Sequence, residues 1–376
     1  MRRGWAVAAT AALALPLLAC SSSDDSSADA ARSTTSTIPC TPAPLEARAA
    51  EVLVVGIGTG TDLTDPLTQE VTKLGVGGVV LRAQNVTDVA RTRALVDAMQ
   101  AASPHHHLLV TSDEEGGRVS RLREVIGTTS TPRVLGRQPL ATITSTAASR
   151  AATMQQIGVN LVLGPVVDAD GGPANGPIGD RSFDADPAAA AAKAAAFVAG
   201  LRQHAVQATI KHFPGMGGLE QDSHAGTVST DRSKADVEAT AHDFEPAIQA
   251  GAGAVMVSHV TYTAVGPLPA SVEPAVYAIL RRLGFDGVAM TDSLGMGAIV
   301  QRWTIPQAGV QALKAGADAI LVNQGVEATG LRDAIVAAVK AGTLKERRLD
   351  EAVRRMLTLS GVAPTTMVCD APTARR

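Results

Sequence analysis

Aromatic side chains are scarce in this sequence, in which two Trp, two Tyr and five Phe make up 2% of the chain. A ligand site in this protein must therefore rely on charged hydrogen bonds, which are strong and directional, more than on aromatic platforms. Positive charge is not in excess either, because 33 Lys and Arg residues stand against 36 Asp and Glu residues. The resulting net charge of −3 gives no reason to expect a nucleic acid as partner.

No long membrane-spanning run begins the chain. The N-terminal segment MRRGWAVAATAALALPLLAC has two arginines, followed by an apolar run that is too short to span a bilayer comfortably. This pattern is typical of an export signal. It resembles a bacterial lipoprotein signal, in which residues 1–19 are removed and Cys20 carries the lipid; the alternative is an ordinary cleaved signal peptide with an incidental cysteine. The lipoprotein interpretation predicts an exported protein in the cell envelope, held at the cell membrane by that lipid alone.

Cysteine is also rare, with three residues in the whole chain. Residues 20–39 are rich in Ser, Thr and Asp and cannot bury a core, so they are predicted to be a flexible tether. The folded domain is predicted to span residues 40–376. Cys40 and Cys369 lie near its two ends, and two such cysteines in an exported protein more often pair than stay free. We therefore predict a disulfide between them.

From residue 51 onward, short runs rich in Leu or β-branched residues alternate with longer Ala-rich stretches, as in βα units around a parallel sheet. Helices are predicted at 87–102, 187–205 and 234–251. Eight runs are predicted as strands: EVLVVGIG (51–58), VGGVVLRA (76–83), HLLVTSD (107–113), VNLVLGPVVD (159–168), VQATIKHF (206–213), AGAVMVSHV (252–260), FDGVAMTD (285–292) and ADAILVN (317–323).

Eight parallel repeats favour an α/β fold with a single catalytic domain, the (β/α)8 TIM barrel, over an open doubly wound sheet. The competing interpretation is a dinucleotide-binding domain that begins at VLVVGIGTGTD. That fingerprint is incomplete, because its third position is Thr61 and the second strand ends in Leu81-Arg82, with no acid to bind a ribose.

Polar side chains end seven of the eight predicted strands, and barrel enzymes build their active sites at the carboxyl ends of their strands. This edge is therefore predicted to carry an active site. By contrast, His105, His106 and His107 stand at the start of the third strand, on the opposite rim, and are predicted to be solvated. The strand-end residues are Arg82, Asp113, Asp168, Lys211 with His212, His259, Asp292 and Asn323.

Long loops follow the third, fourth and fifth strands, and each carries a dense polar motif: DEEGGRVSRL (113–122), NGPIGDRSF (175–183) and DSH (222–224). Taken together with KHFPG, VMVSHV and FDGVAMTDSLGM, these motifs resemble glycoside hydrolase family 3. The resemblance is to its single-domain bacterial β-N-acetylglucosaminidases of the NagZ type, which act in peptidoglycan turnover. It runs in the same order from about residue 51 to residue 325.

The resemblance implies three catalytic residues. The aspartate that ends the seventh strand, Asp292, is the nucleophile, and His224 is the acid/base, oriented by Asp222. Histidine suits acid/base work near neutral pH because its reference pKa is about 6.5. The resemblance also implies a group of substrate-binding residues, and it implies neither a metal nor a cofactor. The substrate-binding group consists of Asp113, Arg121, Arg181, Lys211 and His212.

The chain departs from the family pattern in three places. Met216 stands where a histidine is usual, Glu114 where a glutamine is usual, and Asp184 where a glycine is usual. None of these positions is one of the implied catalytic residues, so the predicted reaction type is unaffected. The prediction of what lies on the leaving-group side is weakened.

The resulting prediction is a retaining exo-β-N-acetylglucosaminidase that releases terminal N-acetylglucosamine from peptidoglycan fragments, with a small saccharide as its partner. Three alternatives stay open within enzymes: phosphorolysis, a β-glucosidase, and a reaction in which the acetamido oxygen of the substrate is the nucleophile and Asp292 orients it. An alternative of another class is a non-catalytic lipoprotein that binds cell-wall sugars.

Overall fold

Eight short parallel strands form the centre of the structure, a computed structural model that describes residues 40–369. Their order in the sheet is β7-β6-β5-β4-β3-β2-β1-β8, and a bridge between Met290 and Ala319 joins the two outermost strands. The sheet is thus a closed barrel, and the predicted (β/α)8 fold is confirmed. The strands are β1 (Leu53–Gly56), β2 (Gly78–Val80), β3 (Leu109–Ser112), β4 (Leu161–Val162), β5 (Gln207–Phe213), β6 (Ala254–Val257), β7 (Val288–Thr291) and β8 (Ile320–Val322). Each lies inside one of the eight predicted runs.

Successive residues of a strand point to opposite faces, and in this barrel they enter two different apolar clusters. In β1, Val54 belongs to the cluster inside the barrel, whereas Leu53 and Val55 belong to the cluster between the strands and the helices. Burial on both faces explains why the runs are continuously apolar rather than alternating. The inner cluster also contains Met356, which comes from the last long helix.

Helices follow most of the strands and cover the outside of the barrel. They are α1 (Leu45–Glu51), α2 (Pro66–Leu74), α3 (Val89–Ala102), α4 (Arg123–Ile126), α5 (Pro132–Leu135), α6 (Leu140–Gln156), α7 (Pro187–Arg202), α8 (Lys234–His242), α9 (Glu245–Gln249), α10 (Pro274–Arg282), α11 (Gly297–Val300), α12 (Ile305–Ala315), α13 (Ala328–Lys340) and α14 (Glu346–Leu359). No helix within residues 40–369 is long and apolar enough to cross a membrane.

The single helix predicted at 234–251 is wrong, because the structure has α8 and α9 there. Pro246 stands in the first turn of α9, where a missing N–H costs nothing. The same ring inside a continuous helix would remove a hydrogen bond and clash with the preceding turn, so the chain ends α8 and starts again.

Short additional strands follow three of the barrel strands, β3, β5 and β6, at the rim formed by the carboxyl ends of the strands. Glu114–Gly116 pairs antiparallel with Val119–Ser120, which makes a hairpin directly after β3. Val228–Thr230 pairs parallel with Val260–Tyr262, which joins the segments that follow β5 and β6. These additions explain why the loops on this side are long.

The histidines at the opposite rim are not uniformly solvated as predicted. His106 is exposed, but the side chain of His107 is 10% exposed and its Nε2 lies 3.1 Å from Oε2 of the buried Glu51. Burial opposes ionisation of His107, yet Glu51 raises the pKa of the imidazole. This pair could not be predicted from the sequence, because Glu51 precedes the start of β1 and is more than fifty residues away from His107.

The two ends of the described chain meet at this rim. The backbone N–H of Ala43 donates to the carbonyl of Met367 at 2.8 Å, and α1 packs against α13 and α14. Cys40 and Cys369 are each disulfide-bonded. Their predicted pairing with one another stays a prediction, and Cys20, residues 1–19 and the predicted tether up to residue 39 lie outside the described residues.

Candidate active site

A cavity of about 1130 Å³ opens at the carboxyl ends of the barrel strands. Its floor includes Leu163, Met256 and Leu321, which belong to the inner apolar cluster. All of the substrate-binding and catalytic residues implied by the sequence line this cavity, namely Asp113, Arg121, Arg181, Lys211, His212, Asp222, His224 and Asp292. The structure therefore brings together side chains from strands and loops that are up to 179 positions apart, counting from Asp113 to Asp292.

A buried carboxylate, Glu115, organises one side of the cavity. Its Oε1 lies 2.7 Å from the ammonium of Lys211, and Nε and Nη2 of Arg181 donate to its two oxygens at 2.8 Å each. Burial alone would raise the pKa of Glu115, but the charges of Arg181 and Lys211 hold that pKa far below its usual range. Lys211 also donates to Asp113 at 3.1 Å. The result is a preorganised cluster of charged donors.

His212 is fixed from behind by Asp168. Nδ1 of the imidazole lies 2.7 Å from Oδ2 of Asp168, and the backbone N–H of His212 donates to the same oxygen at 3.0 Å. Nη2 of Arg181 approaches Nε2 of the ring at 3.3 Å. Lys211 and His212 are consecutive, yet both line the cavity, and the peptide between them is cis.

Asp292 directly follows β7, and its carboxylate lines the cavity. Its Oδ1 accepts a hydrogen bond from the Ser293 N–H at 2.7 Å. Burial opposes ionisation, but the imidazoles of His259 and His212, the Ser293 N–H and the charge of Lys211 together lower the pKa of Asp292. Asp292 is therefore ionised at neutral pH, which is the state that a nucleophile requires.

His259 holds the backbone beside Asp292. Burial lowers the pKa of this imidazole, and the charge of Asp292 opposes that effect. Its Nε2 donates to the carbonyl of Ser293 at 2.9 Å, and Nδ1 lies 2.7 Å from the hydroxyl of Ser271. Of the strand-end residues, His259, Asp168 and Arg82 do not line the cavity. The first two act on it through a neighbour, whereas Arg82 donates to the carbonyl of Ile57 at 2.7 Å.

The Asp222–His224 pair stands at the mouth of the cavity. Nδ1 of His224 lies 2.7 Å from Oδ1 of Asp222, and the two side chains are 70% and 52% exposed. Burial opposes ionisation of Asp222, but hydrogen bonds from the backbone and ring of His224 lower the pKa of that carboxyl. The carboxylate thus fixes Nδ1 and leaves Nε2 as the nitrogen free to exchange a proton.

The segment that carries His224 is attached to the loop that follows Asp292. The N–H of Gly297 donates to the carbonyl of His224 at 3.1 Å, and the N–H of Ala298 donates to the carbonyl of Ser223 at 3.2 Å. A Cβ atom at Gly297 would lie 2.8 Å from the His224 oxygen, so a glycine is needed for this approach. The sequence did not predict this attachment.

The model described as Glycosyl hydrolase family 3 N terminal domain matches residues 45–359. The chain belongs to glycosyl hydrolase family 3. The resemblance seen in the sequence motifs is thereby confirmed.

Among the relatives of this family 3 chain is Beta-hexosaminidase LpqI of Mycobacterium tuberculosis, which is 34% identical over 325 residues, covering 84% of this chain and 82% of the relative. Beta-hexosaminidase of Stenotrophomonas maltophilia is 36% identical over 281 residues, covering 72% of this chain and 83% of the relative. The crystal structure of Beta-N-acetylhexosaminidase from Beutenbergia cavernae superposes with a TM-score of 0.78 and 32% identity, covering 85% of this chain and 99% of that one.

The three departures from the family 3 pattern each have a local partner. Met216 is buried, and its backbone N–H donates to Asp168 at 2.7 Å. Oε2 of Glu114 accepts from the Ser120 hydroxyl and the Leu122 N–H. Asp184 forms an ion pair with Lys193. These contacts stabilise loops around the cavity and leave its catalytic side chains unchanged.

Sequence reasoning missed two residues that shape this family 3 site. Glu115, the third acid of DEEGG, is the central carboxylate of the binding cluster, and the sequence carries no sign that the hairpin around it is buried. Arg118 donates to Asp180 at 2.7 Å and to the carbonyls of Gly176 and Ile178, which fixes the long loop after β4 against that hairpin. Within residues 40–369, no cluster of three or more His, Cys, Asp or Glu side chains is arranged to hold a metal ion.

Proposed function

We propose that this family 3 protein is a retaining exo-acting β-N-acetylhexosaminidase that removes terminal N-acetylglucosamine from peptidoglycan fragments. One observation carries the proposal: an ionised aspartate, a carboxylate-oriented imidazole and a cluster of charged hydrogen-bond donors line the same cavity. The relatives named above as β-hexosaminidases support the substrate class.

The sugar-binding side is the cluster around Glu115. Lys211, Arg181 and Arg121 present donors to sugar hydroxyls and to an acetamido carbonyl, and Asp113 accepts from hydroxyls. Glu115 holds Lys211 and Arg181, and Asp168 holds His212, before substrate arrives, so little conformational entropy of these side chains is lost on binding. The apolar floor formed by the barrel interior blocks the far end of the cavity, which supports binding of a chain terminus.

The reaction is a double displacement. Asp292 attacks the anomeric carbon, the bond to the leaving oxygen breaks, and protonated His224 donates its Nε2 proton to that oxygen. The neutral His224 then takes a proton from water, the water oxygen attacks the same carbon, and the bond to Asp292 breaks with net retention of configuration. Asp222 stabilises the imidazolium in the first half of this cycle.

The substrate class is tested by comparing two nitrophenyl glycosides, the β-N-acetylglucosaminide and the β-glucoside. We expect kcat/KM to favour the N-acetylglucosaminide by about two orders of magnitude, since buried donors left unpaired by the glucoside are costly. A preference for the glucoside would overturn the proposal, and the anomer released first, followed by NMR, distinguishes retention from inversion.

We also propose that the protein is exported and held at the cell membrane through lipid on Cys20. The supporting observation is the pattern of the N-terminal twenty residues, which lie outside the described part of the chain. The full-length protein is expected to enter the detergent phase on phase separation, and Cys20→Ala to stay in the aqueous phase. Identical partitioning of the two would contradict lipidation.

A further inference from the structure

We propose that a second cavity, behind the hairpin that follows β3, is a binding site for a phosphate group. This cavity of about 440 Å³ lies between α6 and the loop at 126–130, and none of its lining residues lines the active-site cavity. We refer to it as the hydroxyl groove. Its lining consists of Ile126, Thr128, Thr129, Ser130, Ser145, Thr146, Ser149, Arg150 and Thr153.

The lining of the hydroxyl groove is nearly all hydroxyl-bearing. On α6, Ser145, Ser149 and Thr153 follow one another at intervals of four residues, so their side chains lie on one face of the helix. The loop opposite contributes three more hydroxyls. Ser and Thr hydroxyls can each donate one hydrogen bond, and a phosphate oxygen accepts them without competition from its own donors.

The decisive feature is Arg150, which lies at the base of the groove and is 5% exposed. Its Nε has no hydrogen-bond partner in the described chain, and its Nη1 donates to the backbone carbonyl of Glu115 at 3.3 Å. None of the ion pairs seen within residues 40–369 includes it. The guanidinium carbon lies 5.7 Å from the centre of the Phe197 ring, but a ring carries no net negative charge, and burial of a cation without a paired anion is costly.

The acidic side chain that acts on this cation forms no ion pair with it. Glu114 interacts electrostatically with Arg150, but its Oε2 is occupied by Ser120 and Leu122. Burial, the larger influence, raises the pKa of Glu114 and so disfavours its charged form. A guanidinium is also the side chain best suited to bind phosphate oxygens in a bidentate manner. The groove therefore offers a charge and a set of donors that an oxyanion would complete.

The groove is larger than one phosphate ion and is open to solvent on the α6 side, where Ser145 and Ser149 are exposed. Its ligand is therefore a phosphate group that is either free or carried on a polyol, whose hydroxyls the remaining Ser and Thr residues would bind. The site lies directly behind the active-site hairpin, because Arg150 contacts the carbonyl of Glu115.

The test is titration calorimetry at low ionic strength with inorganic phosphate, glycerol 3-phosphate and glycerol. The key variant is Ser149→Glu, which places a carboxylate on the exposed wall of the groove without altering the core. Gln155→Glu is the matched control, since it adds the same charge to an exposed position of the same helix outside the groove. Arg121→Ala removes an exposed cation of the active-site cavity instead.

We expect both phosphate compounds to bind wild type and the Gln155→Glu and Arg121→Ala variants alike. Ser149→Glu should weaken that binding by about tenfold or more through charge repulsion. Tighter binding of glycerol 3-phosphate would identify a carried phosphate as the ligand, and tighter binding of inorganic phosphate a free one. Absence of binding, or binding that Arg121→Ala abolishes and Ser149→Glu leaves intact, would overturn the proposal.

Discussion

The two sides of the active-site cavity are built in opposite ways. On one side, Glu115, Lys211 and His212 are buried. Glu115 pairs with Lys211, and Asp168 holds His212, so the geometry of these side chains is fixed. On the other, His224 and Asp222 are largely exposed and are attached through their backbone to the loop after β7. Sugar recognition is thus preorganised within the barrel, whereas the proton donor lies at the mouth of the cavity, where the leaving group departs.

The largest effect is expected at Asp292, the proposed nucleophile. Asp292→Ala should lower kcat by at least about 10⁴-fold on every substrate, because the proposed covalent intermediate forms on this carboxylate. A fluorinated, slowly hydrolysed N-acetylglucosaminide should label Asp292 in the wild type, as detected by peptide mass mapping. Asp286→Ala, at an exposed position two residues before β7, is the control. Labelling of Asp113 or Asp168 would show that another carboxylate is the nucleophile.

The buried side is tested by Glu115→Gln. This change leaves Arg181 and Lys211 without their shared counter-charge, so the free energy of unfolding in urea should fall by about 3–5 kcal/mol. Any folded variant should lose about 100-fold or more in kcat/KM, because both donors are displaced. Glu124→Gln, at an exposed position nearby, should change neither quantity. Unchanged stability in Glu115→Gln would mean that this side of the cavity is not preorganised by the carboxylate.

The exposed side is tested by His224→Ala. Activity on a disaccharide should fall by about 10²- to 10⁴-fold, since its alcohol leaving group needs a proton, whereas cleavage of an activated aryl glycoside should fall far less. Azide should partly restore the second step on the aryl substrate, and Asp222→Asn should show the same pattern more mildly. His242→Ala is a matched control, because His242 also pairs with a carboxylate, Glu245, at 3.0 Å on an exposed helix. Equal losses on both substrates without rescue would make His224 a binding residue.

A smaller effect is expected from the attachment between the two loops. Gly297→Ala brings a Cβ to within 2.8 Å of the His224 carbonyl and should displace the imidazole. We expect about a tenfold loss of kcat on the disaccharide and little change on the aryl glycoside. Gly226→Ala, whose Cβ would meet only the flexible Gln301 side chain, is the control. If both variants behave as wild type, the loop carries His224 independently of α11.

The smallest effect on catalysis is expected from Cys40→Ser, because neither Cys40 nor Cys369 lines the cavity. Non-reducing peptide mapping of the wild type should find Cys40 linked to Cys369. Closing so long a loop stabilises by about 4–5 kcal/mol at most in the chain-entropy model, so the variant should melt at a lower temperature with unchanged kcat. Two free thiols in the wild type would contradict the pairing.

The barrel strands and many of the residues that line the cavity could be predicted from the sequence. Continuous apolar runs separated by helix-length stretches were enough for the eight strands, and strand-end residues such as Asp292 and Lys211 fall where a barrel places its site. The burial of individual charged side chains and their contact partners could not be predicted from the sequence. Glu115 looked like one acid among several, and His107 looked solvated, because neither the packing of the hairpin nor the approach of Glu51 leaves a local pattern. Long-range contacts of single charged side chains have no periodicity to reveal them.

The closed floor of the cavity determines how substrate enters and how products leave. Met356 from α14 fills the lower end of the barrel, and Leu163, Met256 and Leu321 close the bottom of the cavity above it. Substrate entry and product exit must therefore share one opening. The leaving group, which lies nearest the mouth, departs first, and the sugar held below it can leave only afterwards. Free N-acetylglucosamine, as the last product out, is thus expected to compete with incoming substrate for the same empty enzyme.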